Sequence, residues 1–217
     1  MLAQNNRQSL LLAMAFLLST GRLPAQLSDK DGNNYKIVKI GQQEWMAENL
    51  STSHFRNGDS IPEIEGAAEW LEAGNQGKAA WCYYNNDSVS GQKYHKLYNW
   101  YAVIDSRGLA PAGWHIPSVG EWTALTTYLG GENSAGTKMK ATDGWDGTNG
   151  SGFAGLPGGY RNYSGIFSHI RNIASWWSAS ATDTTNAWTL SLGYGNGVVS
   201  RSYDGKRVGL SVRCLRD

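Results

Sequence analysis

From Gly144 onward the chain is a succession of short aromatic runs cut apart by clusters of Gly, Asn, Ser and Thr. Runs bounded in this way read as short strands joined by loops. They are Phe153 to Leu156, Trp176 to Ser180, Ala187 to Leu192, Val198 to Tyr203 and Val208 to Cys214. A second texture precedes them. Ser118 and Glu121 form a capping box, in which the hydroxyl takes the N3 amide and the carboxylate returns to the cap amide. Val119, Trp122, Leu125 and Leu129 then share one face and Gly130 supplies a left-handed stop, so the sequence predicts a helix from Ser118 to Leu129. With no fixed repeat and no composition break at a linker, the economical reading is one α+β domain.

Upstream, Asp31-Gly32 is a turn signal ahead of a predicted strand from Tyr35 to Gly41. Residues Ile64 to Leu71, with Gly74 behind them, predict a short helix, because Ala67, Ala68, Trp70 and Leu71 can share one face. The run Leu97 to Ile104 is apolar enough to be buried as helix or strand, and periodicity does not choose between them.

Hydrophobic residues are 41% of the chain and aromatic ones 12%. That much apolar surface can offset chain entropy, which excludes a disordered tail. The formal net charge is +1 and there is no Lys/Arg run. A nucleic-acid binder needs a basic patch to neutralise phosphates, so no nucleic-acid partner is expected.

At the N-terminus Arg7 precedes the apolar run Leu10 to Leu18, and Leu23-Pro24-Ala25 offers a small residue before Gln26. This is the pattern of a secretory signal peptide over residues 1–25, leaving a mature domain of residues 26–217 that is secreted or held at the cell surface. Nine apolar residues span only about 14 Å as a helix, too little for a ~30 Å hydrocarbon core. Without Arg7 and Arg22 the mature chain carries 17 basic against 18 acidic residues. Export also bears on the two cysteines. In an oxidising compartment an even pair reads as a structural disulfide, here Cys82 with Cys214, worth ~4 to 5 kcal/mol for so long a loop.

Several blocks then carry a resemblance. They are Asp29 to Asn33, Val38 to Leu50, Leu97 to Val103, Pro111 to Ser118 with Glu121-Trp122, Gly158 to Arg161, Trp176 to Ser180, and Ser211 to Cys214. In this order they resemble the Fibrobacter succinogenes major paralogous domain family over nearly the whole mature chain. Arg107 to Leu109 and His169 to Asn172 depart from it, in loops. The resemblance implies an exported bacterial protein. It also implies a single C-type lectin-like domain of the formylglycine-generating-enzyme variety, with helices packed on a twisted, loop-rich antiparallel β core whose N- and C-terminal strands pair. The family has no settled activity.

The expectation for chemistry is a non-enzyme. Formylglycine-generating enzymes use a close, copper-binding cysteine pair late in the domain, and Cys214 has only Cys82 as a partner here. His54, His95, His115 and His169 make no HExxH, and neither GxSxG nor a Walker motif occurs. No cofactor is expected apart from calcium. Asp29 to Asn33 fails the EF-hand pattern, since its Gly is fourth and the twelfth position is Ile40. The loop from Asp143 to Gly150 presents Asp143, Asp146 and Asn149 as metal ligands, although Asp-Gly and Asn-Gly are also ordinary turn pairs. Tyr, Asn, Ser and Arg on loops give rigid amphipathic contacts with adaptable hydrogen bonding. The contact residues expected on that ground are Tyr163, Arg171, Asn172, Tyr194, Asn196, Arg201 and Tyr203, grouped on one side for a glycan or a surface protein. The rival readings are a structural filler domain without its own ligand and, behind it, an enzyme of the formylglycine-generating type.

Overall fold

The structure, a computed structural model, describes residues 27–217. The expected signal peptide therefore lies outside the described residues. In chain order the elements are β1 (Leu27–Ser28), β2 (Asn34–Tyr35), β3 (Ile37–Ile40), β4 (Gln43–Met46), α1 (Ala67–Asn75), β5 (Trp81–Cys82), α2 (Ser88–Tyr94), β6 (Leu97–Tyr98) and α3 (Trp100–Val103). Then come β7 (Trp114–His115), α4 (Val119–Tyr128), α5 (Ala135–Met139), β8 (Tyr160–Arg161), β9 (Phe167–Ser168), β10 (Ile173–Ala181), β11 (Asn186–Gly193), β12 (Val199–Gly205) and β13 (Leu215–Arg216). This is a mixed α+β domain of several small antiparallel sheets and five α-helices among the described residues. None of those helices is long and apolar enough to cross a membrane.

Two sheets organise it. One has the order β3-β4-β13-β7, so the last strand is inserted beside β4 with Leu215 opposite Trp45. The other is β10-β11-β12. Successive side chains of a strand point to opposite faces. Trp176 and Trp177 are therefore both 0% exposed yet belong to different clusters. Trp176 packs with Trp45, Trp122 and Phe153 under α4, and Trp177 packs with Tyr98, Trp100 and Trp114 in the other core.

The predicted helix at Ser118 forms as α4. The Ser118 hydroxyl accepts from the Glu121 amide (3.3 Å), the Ser118 amide donates to Glu121 Oε2 (2.8 Å), and Gly130 has φ +109°. The ambiguous run from Leu97 is both elements in turn. Two residues pair in β6, then Asn99 Oδ1 accepts from the Ala102 amide (3.1 Å) and starts α3. The helix expected from Ile64 begins later, at Ala67, because the Arg161 guanidinium takes the carbonyls of Ile64, Glu65 and Gly66 and holds that segment extended. It also runs through Gly74, where a Cβ would lie 2.7 Å from Arg207 Cγ. The strand expected from Phe153 to Leu156 does not form. Gly152 (φ +75°) and Ala154 (φ +51°) turn the chain left-handed where a strand must be extended. The run from Val208 makes isolated bridges at Gly209, Leu210 and Ser211, with paired strand only at β13.

The Cys82–Cys214 disulfide is not present, and both thiols are free and buried. Trp81 and Tyr98 of the β5–β6 pair face the central core, so alternation turns Cys82 and Leu97 the other way, onto α1 beside Trp70 and Ala73. Cys214 sits in the central core with Tyr98 and Val212, so the two thiols belong to separate clusters.

Buried cations hold these layers together. Arg161 donates to the main-chain oxygens of Gly165, Ile64, Glu65 and Gly66, and lies over the rings of Trp70 and Phe167. Lys206 donates to the Asp183 and Thr184 carbonyls above Trp100. Carbonyl dipoles and aromatic faces stabilise these charges where no carboxylate among the described residues is bonded to them.

Candidate functional site

Two cavities, of about 460 and 280 Å3, share Glu48 and His95 in their walls. The larger is lined by Asn33, Tyr35, Ser51, Tyr83 and Gln92, and the smaller by Lys36, Asn49, Asn149, Ala154 and Arg213. Together they form a cleft between the β2–β3 edge, the end of α2 and the loop around Asn149.

His95 caps the C-terminal end of α2, its amide donating to the Gly91 carbonyl (3.0 Å), with φ +66° and ψ −153°. That region of backbone space is essentially reserved for glycine and costs of order 1–3 kcal/mol for any other residue. Seven non-glycine residues among those described have positive φ, and three of them, His95, Asn149 and Ala154, line this cleft. Burial, with Arg213 and Lys96 nearby, lowers the imidazole pKa to about 4. The ring is therefore neutral at pH 7 and offers one donor and one acceptor. Neither ring nitrogen bonds to the protein among the described hydrogen bonds, and the same is true of the Gln92 amide.

The remaining walls are fixed by their own bonds. Tyr35 Oη donates to Asp29 Oδ2 (2.5 Å) and accepts from the Ser51 amide (2.9 Å). Glu48 Oε2 accepts from the Lys36 amide (2.7 Å). Lys96 Nζ donates to the Ser51 carbonyl (2.7 Å) and stands 4.0 Å from the Trp81 ring centre. At the inner end Arg213 donates to Asn49 Oδ1, Met46 O and Phe153 O over the Phe153 ring, and burial lowers its pKa to about 9. Asn49 Oδ1 also accepts from Trp176 Nε1 (2.8 Å), which connects the cleft floor to the core. The walls thus present an imidazole with no partner among the described residues, an amide, hydroxyls and a carboxylate, groups that can both give and accept hydrogen bonds.

A family model describing the Fibrobacter succinogenes major domain matches residues 38–216. The chain belongs to that family. No curated protein and no solved structure matches it. The blocks that carry the family resemblance fall largely in buried parts of the domain: Trp45, Asn49, Tyr98, Trp122, Arg161, Trp176 and Arg213 are each 1% exposed or less.

The contact residues expected from the sequence occupy three places on the domain. Arg171 and Asn172 come together with Tyr194 and Asn196 at one end of the β10–β11 pair, where the Tyr194 amide donates to the Asn172 carbonyl (2.9 Å). Arg201 and Tyr203 stand on β12, Arg201 donating to Thr123 Oγ1 (2.9 Å) and pairing with Glu132 (3.4 Å). Tyr163 lies in the β8–β9 turn under the Arg207 guanidinium, which also bonds Asn75 of α1.

The oxygens expected to bind calcium are turned to other partners. Asp143 pairs with Lys93 (3.1 Å), Asp146 accepts from the buried Lys140 (2.8 Å) and the Gly195 amide (2.9 Å), and Asn149 Oδ1 accepts from the Ala154 amide. No group of three or more His, Cys, Asp or Glu converges on a metal-sized site among the described residues. One serine–histidine–aspartate trio does occur. Ser53 Oγ donates to Asp31 (2.8 Å) and lies 3.3 Å from His54 Nδ1, but Asp31 bonds that same nitrogen. A proton relay needs the two ring nitrogens to serve different partners, so this trio closes a turn.

The sequence reading missed Glu48, His95 and Arg213. Glu48-Asn49 and Arg213 were visible only as polar residues within the blocks that carry the resemblance. Nothing local marked His95.

Proposed function

We propose that the chain is an exported, non-catalytic recognition domain that takes a glycan in the cleft shared by Glu48 and His95. The observation that carries this reading is His95, a histidine in a glycine-only backbone conformation whose imidazole has no bonded partner among the described residues at the cleft. Strain of that kind persists where the side chain is needed. Asn33, Ser51 and Gln92 supply the hydrogen bonding, and Tyr83 an aromatic wall, that sugar hydroxyls and ring faces require. Arg7 and the apolar run after it support export to the cell surface or medium. The pairing of β13 with β4 supports a C-type lectin-like arrangement.

A second reading, a protein ligand, is favoured by the sheet end where Tyr194 is 61% exposed beside Arg171 and Asn172. A glycan array probed with the mature domain, followed by calorimetry on the strongest hit, tests both. His95→Gly and Gln92→Ala should each weaken binding about tenfold or more, a loss of ~1.4 kcal/mol. His95→Gly should keep or raise the melting temperature, because relief of strain outweighs the ~0.5–1 kcal/mol entropic cost of glycine. Binding that survives both changes but is lost on Tyr194→Ala would overturn the cleft reading in favour of the sheet end.

A further inference from the structure

The outer edge of β12 is open, and its parity can be read from the bonds around it. The Tyr194 amide faces β10, so the odd-numbered residues of β11 face β12 and bond Ser200, Ser202 and Asp204. The odd-numbered residues of β12 therefore face outward. The Val199 amide does so, donating to the Glu132 carbonyl (2.7 Å). The amides and carbonyls of Arg201 and Tyr203 have no partner among the described residues. Both side chains are exposed, Tyr203 to 59%. An unpaired edge of this kind is a template for another strand.

We propose that β12 is a self-association edge, to which a second copy of the chain adds its own β12 antiparallel, with Ser202 on the two-fold axis. The sequence of the strand selects this occupant and this register. About Ser202, Arg201 meets the second copy's Tyr203, both with outward main-chain groups, so each pair exchanges two ladder hydrogen bonds. Their side chains share one face, which sets a guanidinium against a phenol ring. On the other face Asp204, which pairs with no cation among the described residues, meets the second copy's Ser200, a hydroxyl donor. Sliding one way opposes Arg201 to the second copy's Arg201, a like-charge clash, and sliding the other way leaves Arg201 against the second copy's Gly205. Arg201 is already held at the edge by Thr123 and Glu132, so little side-chain freedom is lost on pairing. The association is isologous and closes at two copies, joining two three-stranded sheets into one of six.

Sedimentation equilibrium of the mature domain across its soluble concentration range tests the proposal, with no ligand present. The expected result is a monomer–dimer equilibrium. Tyr203→Pro removes an outward amide at an edge where proline is tolerated, and should raise the dimer dissociation constant about tenfold or more. Should Tyr203→Pro fail to fold, Ser200 decides. Ser200→Lys, facing the second copy's Asp204, should tighten the dimer, whereas Ser200→Glu should weaken it, and the difference should shrink in high salt. A monomer at every concentration overturns the proposal. So does a dimer indifferent to all of these changes.

Discussion

At the scale of single residues, burial without a compensating partner sets the chemistry of the most perturbed groups. Cys82 is pushed up to about 12 by burial, against the pull of the nearby Arg161, and burial moves Cys214 in the same direction. A thiol this far above neutral pH holds almost no thiolate, and the thiolate is the reactive form. Both cysteines should therefore resist alkylation in the native domain without any bond between them, and both should be labelled together on unfolding in the absence of reductant. Mass spectrometry after labelling in denaturant alone checks this. A product that stays unlabelled until reduction would show a disulfide after all. Composition and the expected compartment favoured a bond here, and the alternation of β5 prevents it. Cysteine counting has no access to which face a two-residue strand presents.

At the scale of elements, what was legible in the sequence is what local chemistry decides. The capping box of α4 needs only residues three apart, and it formed as read. The start of α1 depends on Arg161, nearly a hundred positions away, and no window of sequence holds that information. The junction of α4 with β7 and β13 carries a titratable device of the same long-range kind. His115 Nε2 bonds Glu121 Oε1 (2.9 Å) and Nδ1 bonds Asp217 Oδ1 (2.8 Å). Burial alone would lower the imidazole pKa, but the hydrogen bonds and charges of Asp217 and Glu121 outweigh it and hold His115 above its ordinary value. Burial likewise acts to raise Glu121, and the amide and hydroxyl of Ser118, with His115, bring it below the usual range. A raised histidine stabilises the fold fully below its unfolded pKa of about 6.5 and ceases to do so as pH climbs through its folded value. The lowered carboxylate contributes above its own unfolded pKa and is lost as acid protonates it. The clasp is thus strongest between these limits. The native domain should lose urea midpoint as pH rises above about 6.5, and His115→Gln should flatten that fall. An unchanged slope would mean that another group titrates there.

At the scale of the whole molecule, the cleft and the core are one construction, and this is why the site was hard to read. Its walls come from segments around Asn33, Glu48, Tyr83, His95, Asn149 and Arg213, which only the tertiary fold brings together. The loop residues picked for their chemistry, such as Tyr194 and Arg171, are exposed, but exposure alone does not gather them with Tyr163 or Arg201. Asn49 shows the connection most directly, bonding Arg213 at the cleft and Trp176 in the core with the same oxygen. Trp177 meanwhile donates from Nε1 to the Tyr98 carbonyl in the other cluster (2.8 Å). Adjacent residues of β10 therefore anchor both cores, and neither core can open without pulling on the strand shared with the other. Trp176→Ala and Trp177→Ala should each cost ~3–5 kcal/mol, the usual range for emptying a buried tryptophan site. Each should also lower the midpoint of one transition common to both cores. Tryptophan fluorescence and far-ultraviolet circular dichroism, followed together in urea, should give coincident curves for the native domain and for both variants. Two separated transitions, one sensitive only to Trp176 and the other only to Trp177, would show the clusters to be independent folding units. The cleft floor at Asn49 would then report on only the first of them.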